Sequence, residues 1–312
     1  MDRRDFLKGL LLASAAGFLG LPEAHAGGEY PVSHSPNKYH EVPLIPWGYV
    51  ELDPDEVFKR GHLGYFAGEC GAGAFWAITS LLREKKGYPY NYMPIPSLKV
   101  VLEAVRHHKH LPLPMKYMNG GVEGYATLCG SLNGASAAIE FALGPEKAKP
   151  IIRRLFRWYE VTAFPTGLAN EWAVKHKFYT KGKTDKPLPS IAVHSVLCHI
   201  VVSEWCKKAG YASGSKERSE RCARITAAVA RQAVIFMNAA YKAKNEKELE
   251  RALDKIFPFE LSQETQTCRA CHHKGKDYRH GQFMRGYMEC DTCHHINLKE
   301  HMIQATKFME EK

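Results

Sequence analysis

Two identical patterns near the C-terminus constrain this chain more than any other feature. Cys268-Arg269-Ala270-Cys271-His272 and Cys290-Asp291-Thr292-Cys293-His294 are complete CxxCH motifs set 22 residues apart. Each is the attachment signature of haem c: two thiols form thioethers with the porphyrin vinyl groups, and the next imidazole is forced onto the iron. The four cysteines also read as C-x2-C-x18-C-x2-C, within zinc-ribbon spacing. A four-thiolate zinc site has no use for the histidine after each pair, so the doubled motif is read as two covalent haems per chain. Such a chain is built to move electrons.

The other end agrees. Arg3-Arg4-Asp5-Phe6-Leu7-Lys8 is a twin-arginine pattern, followed by an apolar run over 9–21 and a small-x-small site, Ala24-His25-Ala26. The apolar run is shorter than the roughly 20 residues a membrane span needs. Residues 1–26 are therefore expected to be a cleaved twin-arginine signal peptide, leaving a periplasmic protein with no membrane span. Haem c is attached on that side of the membrane. The twin-arginine route typically carries proteins that load a cofactor before export, and a second cofactor inserted in the cytoplasm would explain its use here.

Five cysteines lie outside the haem motifs: Cys70, Cys129, Cys198, Cys206 and Cys222. Disulfides are the ordinary fate of thiols in an exported protein, but five leaves one unpaired. Four thiolates holding an iron–sulfur cluster is the alternative, and the residues alone leave both open. Cys198 and Cys206 are eight apart on one apolar helix, about 80° around its axis from each other. Cys70 and Cys129 lie beside glycines at expected helix starts, where orphan N–H groups and the helix dipole favour a thiolate.

The formal net charge of +10 is unevenly spread. Residues 258–312 hold eight Lys/Arg and eight Asp/Glu, and residues 1–26 hold three of each, so the whole excess lies in 27–257. A basic body suits haem propionates or an acidic redox partner; nucleic acid is not an expected partner in the periplasm. The extended entry over 27–60 carries Pro31, Pro36, Pro43, Pro46 and Pro54. Helical patterns follow over 70–82, 97–110 with Ser97 as N-cap, 135–143, 146–163, 166–178, 190–209, 217–243 and 245–256, and strand signals are scarce. The expected class is all-α: a helical, cysteine-containing body over 27–257, then a dihaem segment of little regular structure over 258–312.

The Cys-x-x-Cys-His-His tail behind a cysteine-bearing helical domain resembles the split-Soret cytochromes c of sulfate-reducing bacteria. The body separately resembles the family of redox proteins with a dispersed four-cysteine pattern. Gly68-Glu69-Cys70-Gly71-Ala72-Gly73 matches its first cysteine loosely, Cys129-Gly130-Ser131-Leu132-Asn133-Gly134 matches its Cys-Gly-x-x-x-Gly stretch, and Cys198 with Cys222 fit the last pair. Cys206 is extra to that pattern. The resemblance covers nearly the whole mature chain. It implies a homodimer with two stacked bis-histidine haems per subunit and an iron–sulfur cluster in the body, expected to be of the 2Fe–2S type.

The proximal haem ligands are His272 and His294. From Cys268 to His294 there are only 27 residues for two macrocycles, so the rings must cover each other, the body or a second subunit. Distal ligands are expected to be histidine: His273, His295, His280 or His301, with His34 and His40 next. His107, His108 and His110 read as a solvated helix end. No acid–base or nucleophile constellation stands out, so electron transfer is the expected function and no catalytic residue is assigned. The alternative is a small periplasmic reductase with an open coordination site.

Overall fold

Most helices begin where the sequence offers a capping side chain. The computed structural model describes residues 42–310, so the signal peptide, its cleavage site, His34 and His40 lie outside the described residues. Nine α-helices occur among the described residues: α1 (Pro54–Lys86), α2 (Leu98–Arg106), α3 (Gly130–Val161), α4 (Gly167–Val174), α5 (Cys198–Ala209), α6 (Lys216–Lys242), α7 (Glu246–Asp254), α8 (Gln263–Arg269) and α9 (Leu298–Glu310). Asp53, Ser97, Thr166, Ser215, Asn245 and Ser262 cap α1, α2, α4, α6, α7 and α8, each accepting a backbone N–H of the first turn. The class is all-α, with only three isolated antiparallel bridges among the described residues.

The two largest departures from the expected helix starts have local reasons. Helix α1 starts at Pro54, inside the expected extended entry, because proline is favoured in the first turn, where its missing N–H costs nothing. Helix α5 starts only at Cys198. The residues before it instead pair with other loops, Ile191 with Phe164 and Leu197 with Leu128.

Helices α1, α3 and α6 build the core, and α1 packs most extensively against α6 and then α3. Ala67, Ala72, Ala74, Ala135, Ala138, Ala227, Ala230 and Ala233 are buried there, so the helix backbones approach closely. The closest approach is at Gly134, where a β-carbon would overlap the carbonyl oxygen of Gly71. Gly134→Ala is accordingly expected to force α1 and α3 apart and cost about 1–3 kcal/mol. The check is a lowered thermal midpoint; an unchanged one would show that the contact can open freely.

Two of the three core helices are broken, and α6 runs through without a break. Helix α1 bends at Glu69, whose φ of 68° lies in the left-handed region, and α3 breaks at Gly144, with Pro145 opening its second half. In the tail, α8 and α9 bracket a stretch over 270–297 with little regular structure. No helix among the described residues is long and apolar enough to cross a membrane.

Candidate functional site

Three helix starts and the second turn of a fourth helix meet at one cavity. The bend at Glu69 makes Cys70 the first residue of the second half of α1. Cys129 is the N-cap of α3, and Cys198 is the first residue of α5. The bridge between Leu128 and Leu197 sets those two starts side by side, with Cys129 N–H donating to Val196 O (2.9 Å) and Cys198 N–H to Thr127 O (2.6 Å). Cys222 comes from the second turn of α6. All four line a cavity of about 560 Å3, whereas Cys206 does not. His108 and His110, which read as a solvated helix end, are exposed but also line this cavity.

Gly130 permits the convergence, because a β-carbon there would stand 2.6 Å from Cys70 Sγ. None of the nine cysteines is paired in a disulfide. Burial pushes the Cys198 thiol up to about 12, with the neighbouring Cys129 and Cys222 adding to it. The Cys70 thiol is raised by burial and then by Cys129, Cys222 and Cys198. Burial also raises Cys129, against the Tyr159 hydroxyl and the Ser131 and Leu132 N–H groups. Thiols so placed stay protonated at neutral pH unless a cation takes their protons' place, which a thiophilic metal does outright. Among the described residues no three His, Cys, Asp or Glu converge on the position of a single ion. The donor set and space therefore suit a thiolate-bound group larger than one ion.

Positive charge faces the same space. Lys183, Arg218 and Arg221 line the cavity. Arg221 is 1% exposed, and none of its three guanidinium nitrogens has a hydrogen-bond partner. The buried Tyr159 hydroxyl has no partner beyond the nearby Cys129 thiol. These orphaned donors fit an anionic group held by four thiolates. The sequence hinted at this only through the Arg221-Cys222 adjacency.

In the tail, each CxxCH motif closes one helical turn. His272 N–H donates to Cys268 O and His294 N–H to Cys290 O, both at 2.9 Å. Positions i, i+3 and i+4 of a turn share a face, so each pair of thiols and its imidazole can address one ring. The Cys268 thiol is raised by burial and by the adjacent Cys290 thiol, so the first cysteines of the two motifs are neighbours. Nδ1 of His272 lies 3.2 Å from Gly281 O, which can only accept. Nδ1 therefore carries the proton, and the Nε2 lone pair points to His301 Nε2, 3.5 Å away. Of the four distal candidates, His301 on α9 is the one set against a proximal imidazole. His280 instead pairs with Asp277 at 2.6 Å, His273 is half-buried and His295 is exposed. Among the described residues no imidazole nitrogen lies within hydrogen-bond distance of His294.

Glu289, next to Cys290, fastens this tail to the body. Its carboxylate accepts Arg157 Nη1, Ser262 Oγ and Thr265 Oγ1, while Arg157 Nη1 also reaches Glu160 at 3.3 Å. Thr292 Oγ1, inside the second motif, donates to His194 O at 2.7 Å, four residues before Cys198.

The chain as a whole has relatives among known proteins. The split-Soret cytochrome c of Desulfovibrio desulfuricans ATCC 27774 is 33% identical over 301 residues, covering 94% of each chain. The chain belongs to the split-Soret cytochrome c family. A solved structure described as "A novel iron centre in the split-Soret cytochrome c from Desulfovibrio desulfuricans ATCC 27774" matches at 32% identity with a TM-score of 0.60, over 81% of this chain and 92% of that one. Residues 98–236 also match the family "Putative redox-active protein (C_GCAxxG_C_C)". That span holds Cys129, Cys198, Cys206 and Cys222; Cys70, which shares their cavity in place of Cys206, lies outside it. As a split-Soret cytochrome c family member, the protein has a role in redox electron transfer.

Proposed function

We propose that this split-Soret cytochrome c relative is a periplasmic electron carrier, exported by the twin-arginine route, that binds two haems c per chain and an iron–sulfur cluster of the 2Fe–2S type. The observation that carries the haem half is the pair of CxxCH turns, closed alike and set side by side, with His301 opposite His272. Haem iron with two histidine ligands accepts and returns one electron without an open coordination site. Cys268, Cys271 and His272 would hold one haem, with His301 as its distal ligand; Cys290, Cys293 and His294 would hold the other. Opposed ligands on one iron stand two metal–nitrogen bonds of about 2 Å apart end to end, close to the His272–His301 separation.

For the second haem, the distal ligand is assigned to a histidine of a second copy or to the arm with His34 and His40. A homodimer is supported by the apolar surface of the tail: Tyr278, Phe283, Ile296, Leu298, Met302 and Ile303 are 47–67% exposed. Two haems stacked against their counterparts in the other subunit would cover it. A bound cluster would add a one-electron store, with Cys70, Cys129, Cys198 and Cys222 as its ligands. The Thr292–His194 hydrogen bond and the short chain on to Cys198 supply a route between the two sites. The basic body suits an acidic redox partner.

The purified protein should keep its haem colour after acid–acetone extraction, and total iron should exceed haem. Colourless protein containing zinc would end the haem reading, and an iron-to-haem ratio of one would end the cluster reading. Only His294, with no imidazole opposite it among the described residues, favours the reductase alternative; on the carrier reading carbon monoxide leaves the reduced spectrum unchanged. A CO-induced shift in half of the haem would assign an open site there.

A further inference from the structure

Five arginines are buried among the described residues: Arg60, Arg154, Arg157, Arg221 and Arg224. Four of them are neutralised. Arg60 pairs with Glu56 and Glu84, Arg154 with Glu250 and Asp254, Arg157 with Glu160 and Glu289, and Arg224 with Glu220. Arg221 has neither a carboxylate nor a hydrogen bond. Its guanidinium lies 5.0 Å from the ring centroid of Trp205, which is itself fully buried and fixed by its indole N–H to Pro189 O at 2.9 Å. The Trp205 face attracts a cation but leaves all five N–H donors unused. Glu69, a carboxylate on the cavity wall, makes no ion pair with it. A buried cation without a partner is strongly destabilising, so the fold holds Arg221 there for something that the polypeptide does not itself supply.

We propose that Arg221 is the charge partner of the group bound by Cys70, Cys129, Cys198 and Cys222, and that Tyr159 assists by donating its hydroxyl to the Cys129 sulfur. This rests on the cluster reading above. Four thiolates around two ferric ions and two sulfides carry a net negative charge, and each electron added makes it larger. A fixed guanidinium at its edge favours both binding and reduction. Arg221 and Tyr159 are thus positioning residues, acting through the sulfurs and binding no metal themselves.

The test uses the full chain with both haems attached. Three quantities are read: non-haem iron, the midpoint of the cluster in a dithionite titration followed by electron paramagnetic resonance, and the thermal midpoint of protein stripped of non-haem iron by a chelator. Arg221→Leu should weaken iron retention about 10-fold or more, as losing an outer-shell partner does, and move the midpoint to more negative potential. The same substitution should raise the thermal midpoint of the stripped protein, because the unpaired cation is gone. A merely structural arginine would lower it. Arg221→Lys, which keeps the charge but not the fork, should fall between the two, and Tyr159→Phe should shift the midpoint negatively with the fold intact. Unchanged iron and midpoint in Arg221→Leu, or a stripped protein that melts lower, would overturn the proposal. Unaltered protein without non-haem iron would overturn the cluster reading, and this one with it.

Discussion

Cys222→Ser should empty the protein of non-haem iron while leaving both haems attached. The contrast that gives this result its force is Cys206→Ser, which should change neither. Both cysteines lie in the same half of the body, and both sit in the region that matches the dispersed-cysteine family. Only Cys222 lines the cavity shared with Cys70, Cys129 and Cys198. Loss of an outer-shell partner alone costs about 10–100-fold in metal affinity, so loss of a direct sulfur ligand should exceed that. The measurement is iron per haem in anaerobically prepared protein. Retention in Cys222→Ser with loss in Cys206→Ser would reassign the ligand set. Retention in both would remove the cysteine cavity as the site of the iron.

The two candidate sites were unequally legible in the sequence, for a physical reason. A CxxCH motif is complete within one helical turn, so five consecutive residues state it without help from the fold. The cysteine quartet is assembled by tertiary structure. It needs the bend at Glu69, a left-handed conformation at a glutamate that nothing in the local pattern announces, and the pairing of Leu128 with Leu197. Without those two features, Cys206 is as good a candidate as Cys70. The distal histidine was undecided for the same reason. His273, His280, His295 and His301 are close in sequence, and α9 alone turns His301 toward His272. Arg221 was legible only as the neighbour of Cys222, because its significance lies in partners it lacks. The all-α class was legible, since it rests on helical periodicity and caps such as Ser97.

The largest expected effect on stability lies where the tail meets the body. Arg157→Met would leave Glu160 and Glu289 facing each other, both almost fully buried, with no cation between them. Breaking a buried pair in this way costs about 3–5 kcal/mol, a fall on the order of 10 °C in the thermal midpoint. Because Glu289 neighbours Cys290, the dihaem tail should be the first part to loosen, seen as earlier proteolysis after residue 257. The two carboxylates divide their roles. Burial opposes ionisation of Glu289, but the Ser262 and Thr265 hydroxyls and Arg157 outweigh it and hold its carboxyl below the usual range. Burial pushes Glu160 up to about 7, against the Glu289 N–H and Arg157. Between pH 4.5 and 7 the folded protein therefore keeps a proton on Glu160 that the unfolded chain has released. Stability must fall as pH rises through that window, by up to about 1.4 kcal/mol per unit. Glu289 acts with the opposite sign and below that window, so the two do not cancel. Glu160→Gln should flatten the slope between pH 4.5 and 7 and leave the protein more stable than the unaltered chain at pH 8. A slope that survives the substitution would place the titrating group elsewhere and leave Glu160 ionised beside its neighbour.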